Sequence, residues 1–456
     1  MTTSERAWAK EEFGDAELSD PRRAMRLVDV AEAAAHSPAG TVTAVCRGSA
    51  AREGAFRFLE NESVLSTAVA TASHEAAIKR CRKYGRVFVP LDGSSLSLTD
   101  RGGGRDVGSV GAWRQGGRGL LVTSALAVSP DGTPLGICGQ AWWARTERST
   151  HTSRHSMSGE MRHGVDLLAN VRRSFAAVAP GVTPWFQLDR GYDAWPVLLL
   201  ACREKMLLTV RAAYSRCVRA DRSAPKSDLF TVARRAPVLG AYDLTIPGRD
   251  GVRARSAHMD VRACSVMLEL KTSSKKREYV SMNVVFVKER RQKNPVHWML
   301  LTTAPIASLA EARAIVDGYA SRWRIEEFHR AWKQGVCNVE DTQLRSREAI
   351  LKWATILAAV AVRATRLTYL AREKPDAPAS DELSRPEIDA VIALRQPKNI
   401  TLGAEPTLEQ AVRWIADLGG DVGKSSGGPP GATVVARGLA KVAILAEGMG
   451  NVEKMR

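Results

Sequence analysis

The sequence of 456 residues predicts a mixed α/β protein of the α+β kind, with helical regions at both ends. Three observations predict this fold class. Amphipathic helical patterns fill the first 70 or so residues, short apolar strands alternate with helices from about residue 85, and helical patterns resume after residue 308. A chain of this length exceeds one ordinary hydrophobic core, so we expect two or three domains.

The clearest helix of the N-terminal region begins at Asp20-Pro21. Aspartate is a favoured N-cap residue, and proline is favoured at the first helical position. The amphipathic run RRAMRLVDVAEAAAH follows and carries Arg22, Arg23 and Arg26 on or near one side. Arginines in this arrangement are typical of phosphate contacts, and equally typical of a solvated charged face. A second helical pattern, REGAFRFLEN, comes after GSAA.

Two short apolar strands of the central region each stop at an aspartate. RVFVPLD predicts a buried strand that ends at Asp92, with GSS as a turn, and TPWFQLD predicts one that ends at Asp189. Between them, two further apolar strands are joined by the turn sequence SPDG. An aspartate at a strand end is also an ordinary turn or N-cap residue. The pair therefore indicates a site only if a third acid lies near the same sheet edge.

Residues from about 215 to 303 alternate between apolar and polar types, as in VMLELK, YVSMNVVFVK and HWMLLT. This period of two predicts a mostly β insertion, and the segments KTSSKKR and KERRQKN predict strongly basic turns within it. Helices follow, beginning with an S-x-x-E capping box at Ser308 and Glu311 and continuing with apolar helical runs at 347 to 372.

The stretch YASRWRIEEFHRAWKQG, residues 319 to 335, mixes acids, cations and aromatic residues. At about 100° per residue, one arc of roughly 60° holds its polar set. This set is Tyr319, Arg322, Glu326 and Lys333. The opposite side holds an apolar set that we expect in the core, namely Ile325, Phe328 and Trp332. Glu327 lies off the polar arc, so Glu326 is the candidate third acid, although ion-paired solvated helix faces have similar patterns.

Convergence of Asp92, Asp189 and Glu326 would create a site for hard divalent cations, Mg²⁺ or Mn²⁺ rather than zinc. Two such ions about 3.5–4 Å apart can activate a water or a 3′-hydroxyl and stabilise the leaving oxygen of an in-line displacement. The formal net charge of +17 favours an anionic partner, most simply nucleic acid. Together these features predict chemistry on a phosphodiester, with nucleic acid as the substrate.

The seven cysteines are scattered without a CxxC pair, which argues against structural zinc and a disulfide scaffold. No uninterrupted apolar run predicts a membrane span, and the N-terminal residues do not resemble a signal peptide. We therefore expect a cytoplasmic protein, associated with the bacterial nucleoid, and no membrane partner.

These stretches, in this order, resemble the IS4 group of DDE transposases over almost the whole chain. The resemblance is carried by WAKEEFGDAELSDPRRAMRLVDVA, EGAFRFLEN, LDGSSLS around Asp92, QAWWAR, LDRGYD around Asp189, HWMLLTTAP and YASRWRIEEFHRAWK. The last stretch matches the family signature Y-(2)-R-(3)-E-(6)-K at every signature position. The resemblance implies a ribonuclease H-like catalytic core in residues 71–370, interrupted by the β insertion at about 215–303. It also implies a DNA-binding N-terminal domain in residues 1–70 and a helical dimerisation domain in residues 371–456.

The resemblance also implies residue roles. The catalytic and metal-binding triad would be Asp92, Asp189 and Glu326, holding two Mg²⁺ or Mn²⁺ ions. The residues that would contact DNA are Tyr319, Arg322, Lys333, Trp298, Arg211, Arg190, Arg22, Arg23 and Arg26. Among them Trp298 would stack on a base flipped out beside the cleavage site, although a tryptophan packed in a strand is equally typical.

The implied activity is cut-and-paste transposition by a homodimer that binds the inverted repeats at the transposon ends and then target double-stranded DNA. Strand nicking, hairpin formation, hairpin opening and joining of the 3′ ends would share one active site. Two alternatives remain open from the sequence. One is a DNA-binding regulator or inhibitor derived from a transposase, and the other is a metal-dependent nuclease without strand transfer.

Overall fold

The computed structural model describes residues 4–100, 103–111, 116–145, 159–246, 255–272, 274, 276–423 and 429–455. The helices are α1 (Ser4–Phe13), α2 (Pro21–His36), α3 (Val42–Val45), α4 (Ser49–Leu59), α5 (Ser66–Arg80), α6 (Gly159–Val178), α7 (Trp195–Arg203), α8 (Leu229–Arg235), α9 (Leu309–Ser321), α10 (Trp323–Gln334), α11 (Arg347–Glu373), α12 (Arg385–Arg395), α13 (Leu408–Leu418) and α14 (Ala432–Met455). The strands are β1 (Arg86–Ser97), β2 (Gly108–Val110), β3 (Gly117–Val128), β4 (Pro134–Trp143), β5 (Thr183–Leu188), β6 (Leu207–Arg211), β7 (Cys217–Arg219), β8 (Ser227–Asp228), β9 (Val238–Ile246), β10 (Arg255–Lys271), β11 (Arg277–Glu289) and β12 (His297–Thr302). The described residues thus combine helices with a mixed sheet, which agrees with the predicted α/β class.

The chain forms two compact units, and each is discontinuous in sequence. The first unit comprises Met1–Lys83, Gly93–Glu147 and Arg324–Arg456, and the second comprises Tyr84–Asp92 and Arg148–Trp323. Strand β1 contributes residues to both units. The three domain ranges expected from the sequence stay a prediction.

The second unit is built on a mixed sheet. The first half of β1 runs parallel to β5, which runs parallel to β6. Strand β12 then adds in the antiparallel direction, followed by β11 and β10. Helix α9 contacts β5, β6, β10 and β11. The parallel strands bring their carboxyl ends, where the two candidate aspartates follow, to one edge of this sheet.

The predicted β insertion is mostly strand, as expected, but it also contains the helix α8. Asp228 caps this helix by accepting a hydrogen bond from the Thr231 amide at 2.8 Å. Strand β12, at the end of the insertion, pairs with β6 and so joins the strands that carry the candidate site. Residues 247–254, Ser273 and Lys275, which also belong to the predicted insertion, lie outside the described residues.

One strand boundary differs from the prediction. Strand β1 continues through Ser97, so Asp92 lies within a strand and the GSS segment after it is not a turn. The extension depends on contacts from distant parts of the chain. Ser97 donates its amide hydrogen to a carboxylate oxygen of Glu340 at 2.7 Å, and Leu98 donates to the carbonyl of Arg118 in β3 at 2.8 Å.

The core of the first unit is organised around α11. Two buried side chains of this helix hydrogen-bond to backbone carbonyls in the N-terminal region. Lys352 Nζ donates to the carbonyls of Leu59 and Asn61, both at 2.9 Å, and Trp353 Nε1 donates to the carbonyl of Gly40 at 2.7 Å. These bonds satisfy polar groups that would otherwise be buried without partners. They fix the N-terminal helices against α11.

Helix α11 is long and apolar enough to cross a membrane by length and composition. The sequence predicts apolar helical runs over this segment, residues 347 to 372. However, 89% of its most apolar window is buried inside the protein, as expected of a core helix. The end of α11 packs with α12, α13 and α14 in an apolar cluster that includes Leu370, Ile388, Val391, Ile415 and Val435.

Candidate active site

Asp92 and Asp189 follow a directly paired position of two parallel strands. Leu91 in β1 is the register partner of Leu188 in β5, so the next residue on each strand is one of the two aspartates. The two carboxyl groups are close enough to interact, since the negative charge of Asp92 raises the pKa of Asp189. The structure therefore brings these two predicted site residues together within the second unit.

The Asp189 carboxylate begins a short 3₁₀ turn and is held by it. Its Oδ1 atom accepts a hydrogen bond from the amide of Gly191 at 2.8 Å. Burial raises the pKa of Asp189, and the neighbouring charge of Asp92 raises it further. The Gly191 hydrogen bond and the positive charge of Arg322 act in the opposite direction. A carboxyl group whose ionisation is disfavoured by burial and by a neighbouring carboxylate is a natural place for a bound cation.

A second cluster in this unit is centred on the hydroxyl of Tyr319. Burial raises the pKa of this hydroxyl, whereas hydrogen bonds and positive charge from Arg211 and Arg322 lower it. The ring of Trp298 meets the Tyr319 ring edge-on, with centroids 5.4 Å apart and planes at 67°. Arg211 also donates from Nη2 to the carbonyl of His297 at 3.4 Å. Four residues assigned to DNA by resemblance thus lie together.

Glycine allows helix α9 to bring Tyr319 to this position. A Cβ atom at Gly318 would lie 2.6 Å from Cε1 of Phe88 and 3.0 Å from Nε2 of Gln187. Phe88 and Gln187 belong to β1 and β5, the strands that lead to the two aspartates. Only a residue without a side chain lets α9 lie this close to the sheet beneath the candidate site.

Glu326 and Lys333 belong to the first unit, on α10. They are seven residues apart, about two turns, and therefore lie on one face of this helix. Lys333 Nζ is 3.5 Å from a carboxylate oxygen of Glu340. Glu327 instead pairs with Arg324 at 2.8 Å, a local contact that accounts for this second acid.

The structure corrects one part of the helical prediction. Residues 319–335 do not form one uninterrupted helix, because α9 ends at Ser321 and α10 begins at Trp323. The last turn of α9 tightens: the amide of Arg322 donates to the carbonyl of Tyr319 at 3.1 Å, three residues back. Arg322 itself keeps right-handed helical backbone angles, φ −53° and ψ −29°, so the interruption concerns the hydrogen-bond pattern at this one residue. The predicted apolar set is confirmed, since Ile325, Phe328 and Trp332 are fully buried.

The remaining predicted contacts are more dispersed. Arg190 is exposed in the 3₁₀ turn that follows Asp189. On α2, the Arg22 side chain is 88% exposed and lies 3.7 Å from Asp20. The predicted N-cap of this helix is confirmed, because Asp20 accepts a hydrogen bond from the Arg22 amide at 2.9 Å. Arg23 reaches the carbonyl of Leu18 at 3.4 Å.

Arg26 packs against a neighbouring helix of the same region. Its guanidinium lies against Gly54 of α4, where an added Cβ would approach it to 3.1 Å. One of its nitrogens is 3.7 Å from Asp29. The three arginines therefore differ in their freedom to reach a phosphate.

Among the described residues, no group of three or more histidine, cysteine or acidic side chains is arranged to hold a metal ion. The donor chemistry of the two adjacent aspartates nevertheless suits Mg²⁺ or Mn²⁺, which prefer carboxylate oxygens. The full metal-binding triad, including Glu326, stays a prediction.

Sequence reasoning missed Asp193 and Arg216. Both are buried, and they form an ion pair between the segment that follows Asp189 and the segment that follows Arg211. The only sequence signal is that Asp193 closes the LDRGYD stretch. Arg216 lies 23 positions further on, in a segment without any pattern that points to it.

Two comparisons with protein families bear on this site. A family model described as transposase DNA-binding matches residues 5–64, which include α2 and its arginines. A model described as transposase DDE domain matches residues 157–363. The second match includes Asp189, Arg211, Trp298 and the 319–335 stretch, whereas Asp92 lies outside both. A DDE domain implies a ribonuclease H-like core and catalytic activity. The chain is a transposase that carries an N-terminal DNA-binding domain and a DDE catalytic domain.

Proposed function

We propose that this transposase moves DNA by cut and paste. Its sequence resembles the IS4 group, including the Tn5 transposase, whose members move DNA in this way. A homodimer would bind the inverted repeats at both transposon ends. At each end water would nick one strand, and the freed 3′-hydroxyl would attack the opposite strand to form a hairpin. Water would reopen the hairpin, and the 3′ ends would then be joined to target DNA.

The observation that carries this proposal is the adjacency of Asp92 and Asp189 beside a cluster of arginines. The positive charge of Arg322 acts both on the Asp189 carboxyl group and on the Tyr319 hydroxyl. Acids next to cations are what a phosphodiester reaction requires, because the cations hold the phosphate while the acids serve the reacting oxygens.

Asp92, Asp189 and Glu326 would hold two Mg²⁺ or Mn²⁺ ions, which when bound activate the attacking hydroxyl and stabilise the leaving oxygen. Arg211 and Arg322, steadied by Tyr319, would position the scissile phosphate, and Lys333 would contact a neighbouring phosphate. Trp298, whose ring is partly exposed, would stack on a base flipped out as the hairpin forms.

The test uses a duplex taken from the inverted repeats next to the gene, incubated with Mg²⁺ and resolved on a denaturing gel. We expect a nicked strand, then a covalently closed hairpin. Substitution of any one acid, as Asp92→Asn, Asp189→Asn or Glu326→Gln, removes several kcal/mol of transition-state stabilisation, about 10³-fold in rate or more. Binding of the duplex in a gel-shift assay stays within a few-fold of the unmodified protein.

Glu327→Gln is the matched control, since this neighbouring acid is occupied by Arg324 and its substitution leaves cleavage intact. Clean nicking without a hairpin would support the plain nuclease instead. Binding of the repeats without any cleavage in Mg²⁺ or Mn²⁺ would support the regulator. If Glu326→Gln and Glu327→Gln reduce the cleavage rate equally, Glu326 does not belong to the proposed triad.

A further inference from the structure

A buried anion, Asp193, joins the two segments of the second unit that leave the candidate site. Its side chain is fully buried, and that of Arg216 is 8% exposed. The Asp193 carboxylate accepts hydrogen bonds from the amide of Ala213, at 2.8 Å, and from Arg216. Its backbone carbonyl accepts further hydrogen bonds from the Tyr214 hydroxyl, at 3.3 Å, and from Arg216, at 3.5 Å.

The first of the two segments joined by Asp193 is the turn that carries Asp189. The amide of Asp193 donates to the carbonyl of Arg190 at 3.2 Å and closes the 3₁₀ turn. The same turn supplies the Gly191 amide that binds the Asp189 carboxylate. A shift of Asp193 would therefore be transmitted through the three residues of this turn to Asp189, the candidate metal ligand.

The second segment joined by Asp193 follows Arg211. Strand β6 ends at Arg211, and the next amide, that of Ala212, donates to the carbonyl of Met299 at 2.8 Å. Ala213, bound to Asp193, comes next. The guanidinium of Arg216 also lies over the Tyr214 ring, 4.6 Å from its centroid. One carboxylate thus connects the Asp189 turn with the Arg211 segment.

Stability alone is a weak reason for such a pair. Removing two charges from water is costly, and well-packed apolar residues in place of a buried ion pair are often neutral or stabilising. What the pair provides that an apolar contact lacks is directional hydrogen bonding in a fixed geometry.

We propose that Asp193 and Arg216 are positioning residues that set the Asp189 carboxylate and the Arg211 guanidinium in register for a divalent cation and the scissile phosphate. The inference rests on the proposed function, since it assumes a metal ion at Asp189. Residues that support metal ligands in this way typically change metal affinity by about 10–100-fold when substituted.

The test compares Asp193→Asn with the double variant Asp193→Asn/Arg216→Met. The single variant leaves the buried Arg216 without a countercharge and is prone to unfolding, whereas the double variant removes both charges and keeps an acceptor for the Ala213 amide. Mn²⁺ binding to the full-length protein, followed by the electron paramagnetic resonance signal of free Mn²⁺, should weaken about 10–100-fold in the double variant. The Mg²⁺ concentration for half-maximal nicking should rise in parallel. Circular dichroism should show a folded protein.

Glu204→Gln is the matched control, because it breaks an ion pair of the same unit, Arg172–Glu204 at 2.7 Å, away from the Asp189 turn. It should leave Mn²⁺ binding unchanged. Asp189→Asn separates the two ways of failing. If Asp189→Asn leaves Mn²⁺ binding unchanged, the metal site itself is wrong. If Asp189→Asn weakens binding and the folded double variant does not, only the positioning role is wrong.

Discussion

Arginines occupy two contrasting settings in this transposase. In the second unit, Arg211 and Arg322 both hydrogen-bond to the buried hydroxyl of Tyr319, and Arg322 also acts on the charge of Asp189. On α2 of the first unit, Arg22 is largely exposed and Arg26 is about half exposed, and each has a carboxylate of its own helix or N-cap at 3.7 Å.

The difference teaches what each group of arginines can contribute. A guanidinium held by a buried tyrosine next to carboxylates is preorganised, so it can stabilise developing charge at little reorganisation cost. An exposed guanidinium beside a carboxylate is mobile and screened, and can add affinity for a phosphate backbone without affecting the chemical step. We therefore expect substitutions in the first setting to change rates and those in the second to change binding.

Among the substitutions that test this contrast, the largest effect is expected for Arg322→Ala. Loss of this preorganised cation should slow cleavage of a pre-bound duplex about 10²–10³-fold, the magnitude typical of removing one transition-state donor. Gel-shift affinity should change only a few-fold. Arg322→Lys should recover part of the rate, because it restores the charge but not the planar fork.

Arg313→Ala is the control for Arg322, since Arg313 lies on α9, the helix that ends just before Arg322, is 57% exposed and pairs with Asp317. Single-turnover nicking rates of the three variants give the comparison. A loss of DNA affinity as large as the loss of rate would show that Arg322 contributes to binding, as expected of the α2 arginines, and not to the chemical step.

An intermediate effect is expected for Trp298→Ala. Base–aromatic stacking contributes about 1–3 kcal/mol, so the hairpin step should slow roughly 5–150-fold while first-strand nicking continues. The hairpin rate of Trp298→Phe should lie between those of Trp298→Ala and the unmodified protein. Nicking and hairpin formation that slow equally would show that Trp298 acts mainly by packing on Tyr319, 5.4 Å away.

Features set by neighbouring residues could be predicted from the sequence. The Asp20 N-cap depends on residues one and two positions away, and the capping box of Ser308 and Glu311 on residues three apart. The burial of Phe328 and Trp332 follows from helical spacing within α10. The choice of Glu326 over Glu327 also agrees with the local Arg324–Glu327 pair, although the catalytic role of Glu326 stays a prediction.

Features set by contacts between distant parts of the chain could not be predicted from the sequence. The extension of β1 beyond Asp92 depends on Glu340 and on β3, which no local pattern reveals. The Asp193–Arg216 pair joins two loops of the second unit. Each of these features changes how a candidate residue is held rather than which residue it is.

The smallest effect is expected for the α2 arginines, and it concerns binding alone. Each arginine that contacts a phosphate should contribute about 0.9 to the slope of log affinity against log salt concentration. Arg26→Ala, which removes the guanidinium held against Gly54, and Arg22→Ala should each lower that slope, with a loss of a few-fold in affinity at moderate salt. Cleavage at saturating protein should be unchanged.

Arg413→Ala, at an exposed position on α13 paired with Glu409, is the control for general charge and should leave the slope unchanged. If both α2 variants keep the full slope, this helix is a solvated charged face. DNA recognition by residues 5–64 would then have to reside elsewhere in that domain, and the exposed first turn of α4, from Ser49 to Arg52, would be the next element to substitute. If instead the slope falls but cleavage at saturation falls with it, binding and chemistry are coupled, and the distinction between the two arginine settings is lost.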